Sequence, residues 1–308
     1  MARLLYIKFQ DYRKPEVDII TSIYEEDGVR FVVKEASSYK AQEHLERIGE
    51  FYDRQKESYQ RVGIALNRCE KQGNHLVFEY LEGKTLQDKV DDLLESGYEE
   101  EAKQVFRELF SHVKQLSIKK GFEDSSSYRQ VFGDAKTADD YIIPALANID
   151  FNLDNVMENN NSLLDYEWTF PFDIPLGYVI WRTLENYRLH NPERAEKVAA
   201  ELLSEEGIPQ KKAAEYQKME DAFQQYVTDP YSLKRYTDEY SFDKRVDKGI
   251  GRYNKPVYGI PEELRWRDRE IVRLEEQVQR VESDYQNSTC WKITAPIRAI
   301  GKIFGREG

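Results

Sequence analysis

Residues 148–168 read NIDFNLDNVMENNNSLLDYEW, and the fold of the whole chain turns on this stretch. Asp150 opens a D-x-x-x-x-N pattern that closes on Asn155. A short apolar piece (156–157), an Asn-rich turn and a second apolar piece (162–164) follow, and the last delivers Asp165. If the two pieces pair as a hairpin, Asn155 and Asp165 come to neighbouring strand ends. There their oxygens can share one divalent ion of the Mg²⁺ type, which prefers oxygen ligands. Asp150 would lie at the head of the loop, free to accept a proton from an attacking hydroxyl. The plainer alternative makes Asp150 and Asn155 Asx-turn residues that satisfy backbone amides. Asp165 resists that reading, because a carboxylate ending an apolar strand needs a partner.

Upstream, 3–9 and 17–24 have the β-branched and aromatic content of strands. Glu25 to Gly28 forms a turn, since Asp-Gly tolerates the positive φ of a tight hairpin, and 29–36 returns as a third strand. Ala41, Leu45, Ile48 and Phe51 then repeat at helical spacing over 37–58. A further strand covers 75–81 and ends at Glu82-Gly83. Downstream the pattern turns helical. Residues 85–95 and 99–117 are amphipathic, with Val105, Leu109 and Val113 in register. Residues 120–140 are polar and loop-like. Helices follow over 176–190, 193–206 and 210–227, with Gly207 as a C-cap.

The last 50 or so residues change character. Leu264, Ile271, Val278 and Tyr285 recur every seven, with Leu274 and Val281 between them, which spells a short coiled coil. Beyond it, Ile293, Ile297, Ile300 and Phe304 share one helical face and Arg298, Lys302 and Arg306 another. The coiled coil implies a homo-oligomer or a hetero-partner. The tail reads as a helix for an anionic membrane surface, a docking helix for a partner, or a frayed soluble end.

Composition narrows the function classes. The 308 residues carry a net charge of -12, so nucleic acid is excluded as a primary partner. Two cysteines, Cys69 and Cys290, make neither a disulfide framework nor a zinc spacing. No run approaches the roughly 20 apolar residues of a membrane span, and the first ten residues lack a signal-peptide core. The expectation is a cytoplasmic protein, peripheral at the inner membrane face through its tail.

Four motifs in order resemble the protein-kinase-like fold, closest to the aminoglycoside and choline kinases. Phe31-Val-Val-Lys34 resembles the strand bearing the ATP-binding lysine, and Val77-Phe-Glu-Tyr-Leu81 resembles the hinge. Asp150 to Asn155 resembles the catalytic loop, and Leu164-Asp165-Tyr-Glu-Trp168 the metal loop. More narrowly, the chain is similar to kinase-like modules of bacterial surface-polysaccharide enzymes, such as the kinase part of the methyltransferase–kinase that caps O-antigen chains. The tail at 287–298 is similar to those of bacterial polysaccharide glycosyltransferases. The resemblance implies an α+β, two-lobed fold: a β-rich N-lobe (1–82), a helical C-lobe (83–258), a coiled coil (259–288) and a basic tail (289–308).

The resemblance also implies an ATP- and Mg²⁺-dependent phosphotransferase acting on a hydroxyl of a sugar or surface glycan. Lys34 would neutralise the ATP phosphates, Glu79 and Leu81 would meet the nucleotide at the hinge, Asp150 would act as base, and Asn155 and Asp165 would hold magnesium. A helix glutamate should pair with Lys34; Glu43, Glu46 and Glu50 are all candidates, with Glu46 assigned to the ATP site. Two departures stand out. Asp11-Tyr-Arg-Lys-Pro15 replaces a glycine-rich loop, with Arg13 and Lys14 as substitute charges, and Asn148 replaces the histidine usual before the catalytic aspartate. Both leave open a non-catalytic, pseudokinase-like scaffold that docks glycan-assembly enzymes.

Overall fold

In the computed structural model, the described residues are 2–10, 12–134, 137–190 and 192–229, all within the first of the two units into which the chain divides. The expected coiled coil and basic tail lie outside them.

Three antiparallel strands open the chain: β1 (Arg3–Lys8), β2 (Ile19–Glu26) and β3 (Val29–Ala36). Asp27 (φ 52°) and Gly28 (φ 81°) both take the left-handed conformation that the β2–β3 hairpin requires. Helix α1 (Gln42–Arg61) follows and lays His44, Leu45, Ile48 and Phe51 on the sheet. Gly49 allows the close approach, since a Cβ there would stand 3.2 Å from Leu76. After the short β4 (Ala65–Leu66), strands β5 (Cys69–Gln72) and β6 (His75–Glu79) complete a five-stranded sheet of order β1-β2-β3-β6-β5.

The rest is mainly helical. Helix α2 (Leu86–Glu95) starts at a reciprocal capping box between Thr85 and Asp88, and α3 (Glu99–Gln115) follows. Then come β7 (Ile118–Lys119), α4 (Ser126–Phe132), β8 (Tyr141–Ile143), β9 (Ala147–Asn148), β10 (Ser162–Leu163), β11 (Thr169–Phe170) and β12 (Ile174–Pro175). Helices α5 (Leu176–His190), α6 (Pro192–Glu205) and α7 (Gln210–Val227) close the described chain. Gly207, at φ 65°, lies just past the end of α6, as expected of a C-cap.

Helix α4 corrects the loop expected over 120–140. It is too short to show a period, and tertiary packing holds it: Phe132 contacts the rings of Phe170, Phe172, Tyr178 and Phe223. Among the described residues, no helix is long and apolar enough to cross a membrane.

Candidate active site

The ends of the 148–168 stretch are stitched together. Strands β9 and β11 pair antiparallel, Asn148 opposite Thr169, and the Ile149 amide donates to the Trp168 carbonyl at 3.1 Å. Inside that closed loop the expected hairpin is present. Val156 bridges Leu163, and the Leu164 amide donates to the Asn155 carbonyl at 2.7 Å, which sets the Asn155 backbone beside that of Asp165. The second arm also pairs in parallel with β4, tying the hairpin to the segment just after α1.

Lys34 comes from β3 and meets Asp165 across the fold, Nζ to Oδ1 at 2.7 Å. The lysine side chain is buried, whereas Asp165 stays 34% exposed. Burial alone would lower the ammonium's pKa, but the charges of Asp165 and Glu167 outweigh it and hold Lys34 above the ordinary lysine value. The same Asp165 oxygen accepts the Glu167 amide at 3.0 Å.

The structure corrects the partner expected on α1. Glu43, Glu46 and Glu50 sit at helical spacing on one face, and that face is exposed. Glu46 accepts from Lys71 at 3.3 Å, and Glu50 from Arg54 at 2.8 Å. The buried face presents His44 instead, whose Nε2 lies 3.2 Å from Glu167 Oε1. Glu167 thereby becomes the second carboxylate near Lys34, at 3.7 Å.

The sequence pattern left Asp150 free at the head of the loop, and the structure corrects this. The Asp150 side chain is buried, and both oxygens are engaged: Oδ1 with Arg182 Nη1 at 3.2 Å, Oδ2 with the Trp168 amide at 3.3 Å. A buried carboxylate must find such partners. Burial still pushes its carboxyl up to about 7, against the pull of Arg182. Arg182 spends much of its charge elsewhere, its Nε donating to Glu220 Oε2 at 3.0 Å, and Tyr178 donates to the same oxygen at 2.6 Å. Sequence reasoning missed Arg182 and Glu220. The signal was an arginine inside the apolar run YVIWRTL at 178–184, which burial obliges to find carboxylates.

Asn155 donates to the Asp150 carbonyl through Nδ2 at 3.5 Å. The side chains of Asn155 and Asp165 carry oxygen, the type of ligand that Mg²⁺ takes. Among the described residues, no group of three or more His, Cys, Asp and Glu side chains gathers to hold a metal. At the segment expected to form a hinge, Glu79 ends β6 with its carbonyl accepting from Asn67 Nδ2 at 3.0 Å, and Leu81 lies just beyond, half-buried. A cavity of about 300 Å³ opens elsewhere, between Tyr59, Val62, Leu116, Ile143 and Leu146, and includes none of the residues expected to meet ATP.

Arg13 is the other residue brought here. It reaches Glu167 from the β1–β2 connection, its guanidinium 5.0 Å above the Trp168 ring.

No protein-family model matches the chain, and no curated protein matches it. Among solved structures it is similar to a thermostable mutant of the aminoglycoside phosphotransferase APH(4)-Ia in apo form, at 12% identity over 80% of this chain and 96% of that one, with a TM-score of 0.42. A ternary complex of that enzyme with ADP and hygromycin B aligns at 12% identity over 80% and 95%, TM-score 0.36. A Plasmodium vivax ethanolamine kinase aligns at 10% identity over 71% and 72%, TM-score 0.31. These neighbours are named as a phosphotransferase and a kinase.

Proposed function

We propose that the chain is a kinase-like phosphotransferase that passes the γ-phosphate of Mg-ATP to a hydroxyl of a sugar or surface glycan. The observation that carries this reading is the Lys34–Asp165 contact, which joins the β3 lysine to the residue ending the 148–165 hairpin. Phosphoryl transfer depends on positioning and on neutralising phosphate charge, and this pair sets a cation and a carboxylate side by side. When bound, magnesium would neutralise phosphate charge from Asn155 and Asp165. Lys34 would turn its ammonium to the α- and β-phosphates, and Asp150 would accept the hydroxyl proton. Glu79 and Leu81 would meet the nucleotide through their backbone. The acceptor class follows from the resemblance of the metal-loop and tail motifs.

A second reading, a pseudokinase-like scaffold, is favoured by one observation: Asp150 has both oxygens occupied in a buried ion-pair network. Incubation with γ-labelled ATP, Mg²⁺ and a panel of sugar and glycan acceptors separates the two. Label in an acceptor, lost in Asp150→Asn, is the expected result. Mg-ATP binding without transfer to any acceptor or to water favours the scaffold.

A further inference from the structure

Glu167 is the point where three elements converge on one buried carboxylate. Arg13 pairs with Oε1 from the β1–β2 connection, His44 lies 3.2 Å from the same oxygen, and Lys34 lies 3.7 Å from Oε2. Burial pushes the Glu167 carboxyl upward, but Arg13, the His44 hydrogen bond and Lys34 outweigh it and keep the group ionised well below the usual range.

Arg13 is delivered by a built strap. The Lys14 amide donates to the Val227 carbonyl at 2.7 Å and the Asp229 amide to the Tyr12 carbonyl at 2.8 Å, so the connection pairs with the end of α7. Lys14 Nζ adds a bond to the Gln225 carbonyl at 2.8 Å. The segment that stands where a glycine-rich loop would cover phosphates is thus bonded across to the helical part of the fold. The Arg13 side chain is only 8% exposed.

With the α1 glutamates facing solvent, we infer that Glu167 is the carboxylate that positions Lys34, and that Arg13 and His44 are positioning residues that hold Glu167 in place. This rests on the reading of Lys34 as the phosphate-binding lysine. Lys34 is shared between Asp165 at 2.7 Å and Glu167 at 3.7 Å. Without Arg13, the nearest cation left to Glu167 is Lys34 itself, and in a buried setting Coulomb attraction would draw the ammonium off Asp165. Arg13 therefore sets how Lys34 divides between the two, and the strap couples that division to α7.

The test uses the full chain without nucleotide, following the ¹⁵N resonance of the Lys34 ammonium, identified by its loss in Lys34→Met. Glu167→Gln and Arg13→Ala should both shift that resonance, and Arg13→Lys, which keeps the charge, should shift it less than Arg13→Ala. Calorimetric Mg-ATP affinity should fall about tenfold in the first two variants, as for other residues that orient a binding group from behind. An unmoved Lys34 resonance in natively folded Glu167→Gln overturns the inference. Equal shifts in Arg13→Ala and Arg13→Lys overturn the part given to Arg13. Should Arg13→Ala fail to fold, the near-isosteric Glu167→Gln carries the test. If the resonance moves as expected while even the wild type ignores Mg-ATP, the positioning stands and the phosphotransferase reading falls.

Discussion

Lys34 and Asp165 face each other at 2.7 Å, one on the third strand and the other just past the hairpin that follows Asp150. The lysine is buried and the aspartate a third exposed, so one partner can be resolvated if the other is lost. Lys34→Ala should then cost roughly 1–3 kcal/mol of stability, below the cost of orphaning a fully buried charge. Urea unfolding reads the loss. In the same protein, Mg-ATP should no longer raise the melting temperature. A full Mg-ATP shift in Lys34→Ala would return the lysine to a structural role.

The metal expectation separates from the lysine. Asn155→Ala would remove one proposed oxygen ligand and leave Lys34–Asp165 intact, so ATP binding should persist weakly and lose its dependence on Mg²⁺. Asp165→Ala should lose the Mg²⁺ dependence and also release Lys34. Titration of ATP with and without Mg²⁺ distinguishes the two. An unchanged Mg²⁺ effect in both variants would remove the hairpin from the metal site.

Much of this arrangement is legible in the sequence because it is local. The Asp27-Gly28 turn fixes the β2–β3 hairpin, and the spacing of Asn155 and Asp165 fixes the second hairpin. What was not legible depends on contacts between distant segments. The face of α1 is one case: Glu43, Glu46 and Glu50 share a face by helical geometry, but which way it points is decided by His44, Leu45, Ile48 and Phe51 packing on the sheet. The Arg13–Glu167 pair spans 154 positions, and nothing local to either residue announces the other. Arg182 was half-legible: its apolar neighbours say that it is buried and leave its partners unnamed.

The tail is read from sequence alone. Lys292, Arg298, Lys302 and Arg306 face a single late acid, Glu307, in a chain of net charge -12. Basic residues near anionic lipid contribute roughly 1 kcal/mol each, so tail binding would be marginal without insertion of Trp291, Ile297, Ile300 and Phe304. A dimer through the 264–285 heptads would double both terms. Full-length protein should float with anionic liposomes, and a chain ending at Gln286 should not. Equal flotation of the two would rule out the tail as anchor, and a monomer in ultracentrifugation would remove self-pairing.

The Asp150–Arg182–Glu220 network gives a pair of shifts with opposite signs. Burial pushes Asp150 from the ordinary 3.8 up to about 7, so the folded chain keeps a proton that the unfolded chain has released. This group's contribution to stability therefore falls as pH rises between those two values and is level on either side. The basic form, which would accept a hydroxyl proton, appears as pH rises through about 7, and kcat/KM should climb along that limb. Arg182→Met removes the cation that pulls Asp150 down, so the limb should move to higher pH. It also leaves Asp150 and Glu220 buried without their cation, at a cost of about 3–5 kcal/mol in urea unfolding. Glu220→Gln does the reverse, because the Arg182 charge now shared with Glu220 at 3.0 Å turns wholly to Asp150, and the limb should move to lower pH. Shifts of the same sign in the two variants, or a limb that neither moves, would mean that Asp150 is not the titrating base.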